Sequence, residues 1–338
     1  AFPNGTLPDA TVWTAEGSPY LINCDVRVAD SASSLTIQAG VQVLFATGKR
    51  LRVEGPLTVE GSGPDSVIFD SQQAAPQRGD WRGVELSAGT TPVTVTGLTI
   101  RHAGSPDTPT IAALQIRRDG ATLTDVTVED SSGVGVTVDR VNQLTLRGLR
   151  SRRNGGPGLE LNDTPQAKSS VTLERSSFEA NTEAVRAGAN VELLMSGNKA
   201  TGNQVNGVLL ESSRVAYPMT WRGGDLPIVI ASTLYVESNL VIEPGALVKL
   251  SATGASIRVG DEGQLTAVGT ADRRITITAL GDDSTCSSPD VACDTGNDGA
   301  AAPGPGAWST LEFGVDSAAG SRLSQVDVRF GGAGGSTK

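Results

Sequence analysis

The chain has 338 residues, with 27 Lys+Arg against 37 Asp+Glu and a single His, a formal net charge of −10. A surface that neutralises phosphates needs clustered cations, so this balance argues against a nucleic-acid partner. Gly and Pro supply 41 and 17 residues, and no run reaches the roughly 18 to 20 apolar residues of a membrane helix, so no membrane insertion is expected within this segment.

Taken in chain order, residues 1–22 carry no leader-like pattern of charged segment and apolar run, as expected of a mature or excised segment, and read as a cap over an exposed end. Leu35-Thr36-Ile37, Val41-Gln42-Val43, Leu57-Thr58-Val59, Val93-Thr94-Val95 and Leu144-Thr145-Leu146 then alternate apolar and polar residues. That period of two puts the apolar set on one strand face. The intervening Gly, Asn, Asp, Ser and Pro lie too close together for helices and suit turns. The prediction is nearly all β.

Between 131 and 210 a short repeat emerges: Gly135-Val136-Thr137-Val138, Gly158-Leu159-Glu160-Leu161, Ala184-Val185-Arg186-Ala187 and Gly207-Val208-Leu209-Leu210. These recur after 23, 26 and 23 residues, and five positions before Val136, Leu159 and Val208 stand Ser131, Asn154 and Asn203, with Asn181 four before Val185. Asn tolerates positive φ, so these polar residues are expected at left-handed corners, stacked into a ladder by successive coils. Coils of about 23 residues with inward Val, Leu and Ile, and no intervening helix, predict a parallel β-helix. In that register Glu129, Arg152 and Glu179 form an alternating charged row, which reads as pairing between coils.

A longer repeat joins Trp13 to Trp221 and Val28 to Val236 at an offset of 208 residues, and Trp81 to Trp308 at 227. It predicts one β-helix module over 1–215 and the start of a second over 216–338, truncated at Gly331-Gly332-Ala333-Gly334-Gly335, so that further β-helix modules of the same chain are expected. A Cys/Asp-rich insertion over 281–306 carries Cys286 and Cys293, seven residues apart and able to bridge. It also carries Asp290, Asp294, Asn297 and Asp298, oxygen ligands of the kind calcium takes. Calcium is the one cofactor the residues point to; zinc is disfavoured, because two thiols without a nearby His leave its shell unfilled.

The strings Leu35-Thr36-Ile37-Gln38-Ala39-Gly40-Val41 and Leu240-Val241-Ile242-Glu243-Pro244-Gly245 resemble the LTIEPG opening of bacterial secreted right-handed parallel β-helix proteins of the pectate-lyase-like superfamily. Gly55-Pro56-Leu57-Thr58-Val59-Glu60-Gly61 and Gly79-Asp80-Trp81-Arg82-Gly83-Val84 share that resemblance. It implies a right-handed β-helix and a secreted or cell-surface location, while leaving chemistry open. Similar glycoside hydrolases carry Asn-Thr-Asp, Asp-Asp, Gly-His-Gly and Arg-x-Lys motifs. Here Asn181-Thr182-Glu183 stands without such partners, and Asp282-Asp283 falls in the insertion.

Similarity to calcium-dependent lyases points to Glu129, Asp130, Arg150, Arg152 and Arg153 as candidates. The cationic stretch Arg147, Arg150, Arg152 and Arg153 is the candidate surface for an acidic glycan. His102 matches Phe330 of the second module, so it is read as a core or rim residue and not a catalytic one. Cys24 matches Ser232, so a small buried side chain is expected there. Thr94, Thr96 and Thr99 are read as lacking a repeat at coil spacing, which ranks a flat threonine array for ice or crystal surfaces last. The leading expectation is a non-enzymatic extracellular stalk or adhesin segment that contacts a glycan or cell-surface protein; a lyase or carbohydrate-binding module is the alternative.

Overall fold

The structure, a computed structural model, describes residues 5–30, 33–105, 108, 111–163, 167–211, 213–286 and 293–333. They fall into two compact units, Ala1–Asn162 with Val171–Thr182, and Asp163–Ser170 with Glu183–Lys338. Each unit is a parallel β-helix, the fold expected from the sequence. The helical segments among the described residues are the short 3-10 turns Ala15–Gly17 and Ser317–Ala319.

In the first unit, successive coils contribute strands to three sheets. The first sheet runs from Thr11–Trp13 through Leu35–Gln38, Leu57–Glu60, Val93–Thr96 and Thr122–Thr124 to Gln143–Arg147. The second includes Val67–Ser71, Leu98–Arg101, Thr127–Glu129 and Arg150–Arg152, and the third Arg50–Val53, Gly83–Leu86, Leu114–Ile116, Val136–Val138 and Leu159–Leu161. Pairing stacks like on like. Val28, Val53, Leu86, Ile116, Val138 and Leu161 form one inward aliphatic column, each 3% exposed or less. The branched side chains pack on the pleated surface, and their burial supplies the main stabilisation of such a fold.

The second unit repeats the plan with Ile228–Ile230, Leu247–Leu250 and Ile275–Ala279 in one sheet, and Met219–Trp221, Asn239–Ile242 and Gln264–Val268 in another. Each pair of equivalent tryptophans shares one backbone contact, while the ring stacks of Trp13 on Tyr20 and Trp81 on Phe45 belong to the first unit. Trp13 pairs with Ile37 in the first unit and Trp221 with Ile242 in the second. The indole N–H of Trp81 donates to the Arg101 carbonyl at 2.8 Å, and that of Trp308 to the Arg329 carbonyl at 2.6 Å. Val136, Leu159, Val185 and Val208 are all enclosed, as predicted.

The corners differ from the sequence expectation by one residue. The left-handed positions are Asp130, Arg153 and Ala180, with φ of 55°, 54° and 54°, each immediately before a ladder residue. Ser131, Asn154 and Asn181 instead turn inward. The Asn154 Oδ1 accepts the Ser131 N–H at 3.0 Å, and the Asn181 Oδ1 accepts the Asn154 N–H at 3.1 Å. The short amide serves here to satisfy buried backbone donors that no strand partner reaches, and the left-handed bend beside it is accepted by whatever residue stands there. Cys24 is likewise corrected. It and Ser232 are both exposed, because both lie in outward turns and not on an inward strand position.

Candidate functional site

The predicted charged row is continuous along the second sheet of the first unit, where Arg101 pairs with Glu129, Glu129 with Arg152, and Arg152 with Glu179. Glu129 is only 5% exposed in its side chain and is held by Arg101 at 2.7 Å, Arg152 at 2.5 Å and Arg153 at 2.9 Å. Burial works against its charge, but hydrogen bonds from Arg152 and Arg101 outweigh burial and hold the carboxyl below its ordinary range. Asp130 behaves alike, with burial opposed and overcome by Arg153 and then Arg78.

This arrangement occupies most of the cationic stretch singled out in the sequence. Arg147 pairs with Glu174 at 2.8 Å, Arg152 with Glu129, and Arg153 with Glu129 and Asp130. Arg150 is exposed and makes no ion pair among the described residues. His102 sits on the rim and not in the core, 23% exposed, with Nδ1 2.7 Å from Asp70 Oδ1. Its match to Phe330 is one of backbone: both adopt left-handed φ, 57° and 59°.

The threonine expectation is overturned. Thr94 pairs with Thr58 on one side and Thr122 on the other, and Thr36 and Thr145 extend the row. Thr96 pairs with Thr124, but Glu60 and Arg147 bound that second row. Threonines therefore do recur at coil spacing, as an uncharged patch two threonines wide over only two coils.

A polar groove runs along the outer face of the third sheet in the first unit. Its floor is Glu85, Gln115, Thr137 and Glu160, one residue per coil, and Arg52 continues that column beyond the lining. Two adjoining depressions of about 270 and 180 Å³ share Gln115 and Arg117 as lining. Arg117 lies 3.2 Å from Asp139 and 3.4 Å from Glu85, which also takes Arg50 at 3.4 Å. Thr137 Oγ1 donates to Glu160 at 3.3 Å. The sequence held the signal: Thr137 and Glu160 are the polar middle positions of the short repeat used to find the coils. Only the strand pairing adds Arg52, Glu85 and Gln115, since the loops between those coils differ in length.

In the second unit, the insertion covers the outer face of strand Leu247–Leu250. Cys286 and Cys293 are joined by a disulfide with Cα atoms 4.5 Å apart. Asp294 and Asp298 come together with Asp283, their carboxylate oxygens within 4.8 Å of one another, a donor set able to hold a hard cation. Asp290 lies outside the described residues, and Asn297 occupies a left-handed turn at φ 52°. The sequence reading missed Lys249, which is fully enclosed beneath this loop. Burial lowers the Lys249 ammonium below its ordinary value despite Asp283 and Asp282, and burial raises the Asp283 carboxyl.

Residues 79–220 match the model of a family described as a right handed beta helix region. No curated protein and no solved structure matches the chain. With the parallel coils, the family match identifies the architecture as a right-handed parallel β-helix.

Proposed function

We propose that this chain is a non-enzymatic extracellular β-helix segment, of stalk or adhesin type, whose groove along the third sheet of the first unit binds a glycan chain. The observation that carries the reading is the column Arg52, Glu85, Gln115, Thr137 and Glu160. It sets hydrogen-bonding side chains at the roughly 4.8 Å coil repeat over about 19 Å. That step is close to the length of one sugar in an extended chain, so successive sugars meet equivalent positions.

Charge selects the glycan class. Glu85, Asp139 and Glu160 line the groove with Arg50, Arg82 and Arg117, three carboxylates against three guanidinium groups. A uronate polymer would meet those carboxylates, whereas an uncharged polyhydroxy chain can donate to them and accept from the arginines. The Arg147 to Arg153 flank offers a polyanion less than its sequence implies, since carboxylates already engage three of its four arginines. A secreted or cell-surface location fits the Cys286–Cys293 disulfide, which persists in oxidising compartments.

The test is binding of the whole chain to a glycan array that contains neutral and uronate polymers, followed by titration of the strongest binder. Gln115→Ala and Glu85→Ala are expected to weaken binding about tenfold each, the worth of one charge-assisted or two neutral hydrogen bonds, with Arg150→Ala close to unchanged. Affinity that is lost in Arg150→Ala and kept in the groove variants would sink this reading. Release of unsaturated ends from a uronate polymer would favour a lyase instead.

A further inference from the structure

An outward lysine on a solenoid strand ordinarily extends into water. Lys249, paired with Val229 and Thr278 on the neighbouring strands, is instead sealed beneath the insertion at 0% exposure. Its Nζ donates to the carbonyls of Asp282 at 2.9 Å, Leu280 at 3.3 Å and Cys293 at 3.3 Å. Facing it, 3.9 Å away, is Oδ1 of Asp283. That oxygen is buried and accepts no hydrogen bond from the described residues, while Oδ2 of the same carboxyl accepts the Ala301 N–H at 3.2 Å and is thereby fixed in direction.

A buried carboxylate oxygen left without a hydrogen bond is costly, and native structures rarely keep one without a reason. The 3.9 Å from Nζ to Oδ1 is outside hydrogen-bonding range, and it sets the amine beside the carboxyl group whose Cγ it attacks. Both groups are anchored, Nζ by three carbonyls and the carboxyl by Ala301, so the entropy of bringing amine and acid together is already spent. Burial of Lys249 and of Asp283 Oδ1 limits the water that would oppose condensation.

We propose that Lys249 and Asp283 join as an intramolecular amide that fastens the insertion to the β-helix. Nζ attacks Cγ of Asp283, the new N–C bond forms, one C–O bond breaks, and the departing oxygen leaves as water. The ammonium and the carboxylate between them supply every atom of that water, so no oxidant, reductant or activating cofactor is required. The Cys286–Cys293 disulfide closes a loop within the insertion, and the amide ties the insertion to the β-helix by a bond resistant to reduction.

Intact mass spectrometry of the purified whole chain, before and after reduction, tests this directly. The expected mass is that of the sequence less one water, with a tryptic digest yielding a branched peptide in which Lys249 and Asp283 are linked. Asp283→Ala is expected to fold with full sequence mass, and Asp283→Asn to form the same bond with ammonia leaving. A wild-type chain at full mass, with the two residues in separate linear peptides, overturns the proposal. So does loss of water confined to Asp283 as an unbranched succinimide. A full-mass chain whose insertion becomes protease-sensitive on chelating calcium overturns it too, and assigns the carboxylates to a cation.

Discussion

Replacing Asn154 by Ala tests the internal ladder at its best-connected member. Asn154 is 4% exposed, and its Oδ1 accepts the Ser131 N–H at 3.0 Å while Nδ2 donates to Ser151 Oγ and Asn181 Oδ1, both at 3.0 Å. Alanine leaves the Ser131 N–H buried without a partner, a cost of about 1–3 kcal/mol. The two bonds from Nδ2 at 3.0 Å are lost at about 1 kcal/mol each, with a longer third to the Val128 carbonyl at 3.4 Å, but Ser151 still donates to the Gly158 carbonyl and Asn181 Oδ1 keeps the Asn154 N–H. The net destabilisation is expected at about 2–4 kcal/mol. Because each coil contacts only its neighbours, the loss concentrates in the coils around 131–181 and need not unfold the chain as a whole. Native-state hydrogen exchange is the assay, with the Ser131 amide and adjacent strand amides losing protection about 30- to 1,000-fold. Thr137→Ala, an outward position, is the control. If Asn154→Ala moves protection no more than that control, the ladder is incidental to packing and the reasoning fails.

Acid provides a second test. Glu129 and Asp130 have folded-state values held below their ordinary ones, so their contribution is present above the unfolded values of about 4 and lost as pH falls through the depressed folded values. Thermal melts should be level from about pH 7 to 5 and fall below about pH 4, with a shallower acid slope in Glu129→Gln; equal slopes would show that the arginine cage contributes nothing. Trp81→Phe keeps the ring stack on Phe45, at 4.0 Å between centroids, and removes the donor to the Arg101 carbonyl. It should cost about 1–3 kcal/mol in denaturant unfolding, and Trp308→Phe should do the same in the second unit. A change below about 0.5 kcal/mol in both would mean those carbonyls find other partners.

The charged row shows how far a period can be read. The spacing of Ser131, Asn154 and Asn181 alone places Glu129, Arg152 and Glu179 side by side, and strand pairing puts them there, with Arg101 added. The ladder residues stand two positions after each member of that row, so they carry the register from coil to coil even where coil length changes. The threonine row failed for the opposite reason. Thr36, Thr58, Thr94, Thr122 and Thr145 are stacked in space, yet their spacings along the chain are uneven because loops of different length leave the coil between them. The same unevenness hid Glu85 and Gln115 from a search at fixed spacing.

By itself, then, the order of residues determined which side chains face inward, because alternation on a strand is a local rule that neighbours cannot rewrite. It determined the coil and its ladder, because stacking repeats the same local rule. What lay beyond it was the use of the outer surface. Lys249 looks like a solvated lysine until the carbonyls of Leu280, Asp282 and Cys293 are seen to converge on it. The groove exists only once loops of unequal length have been set aside and their strands laid in register. Both depend on contacts between residues far apart along the chain, whose geometry no short-range pattern encodes.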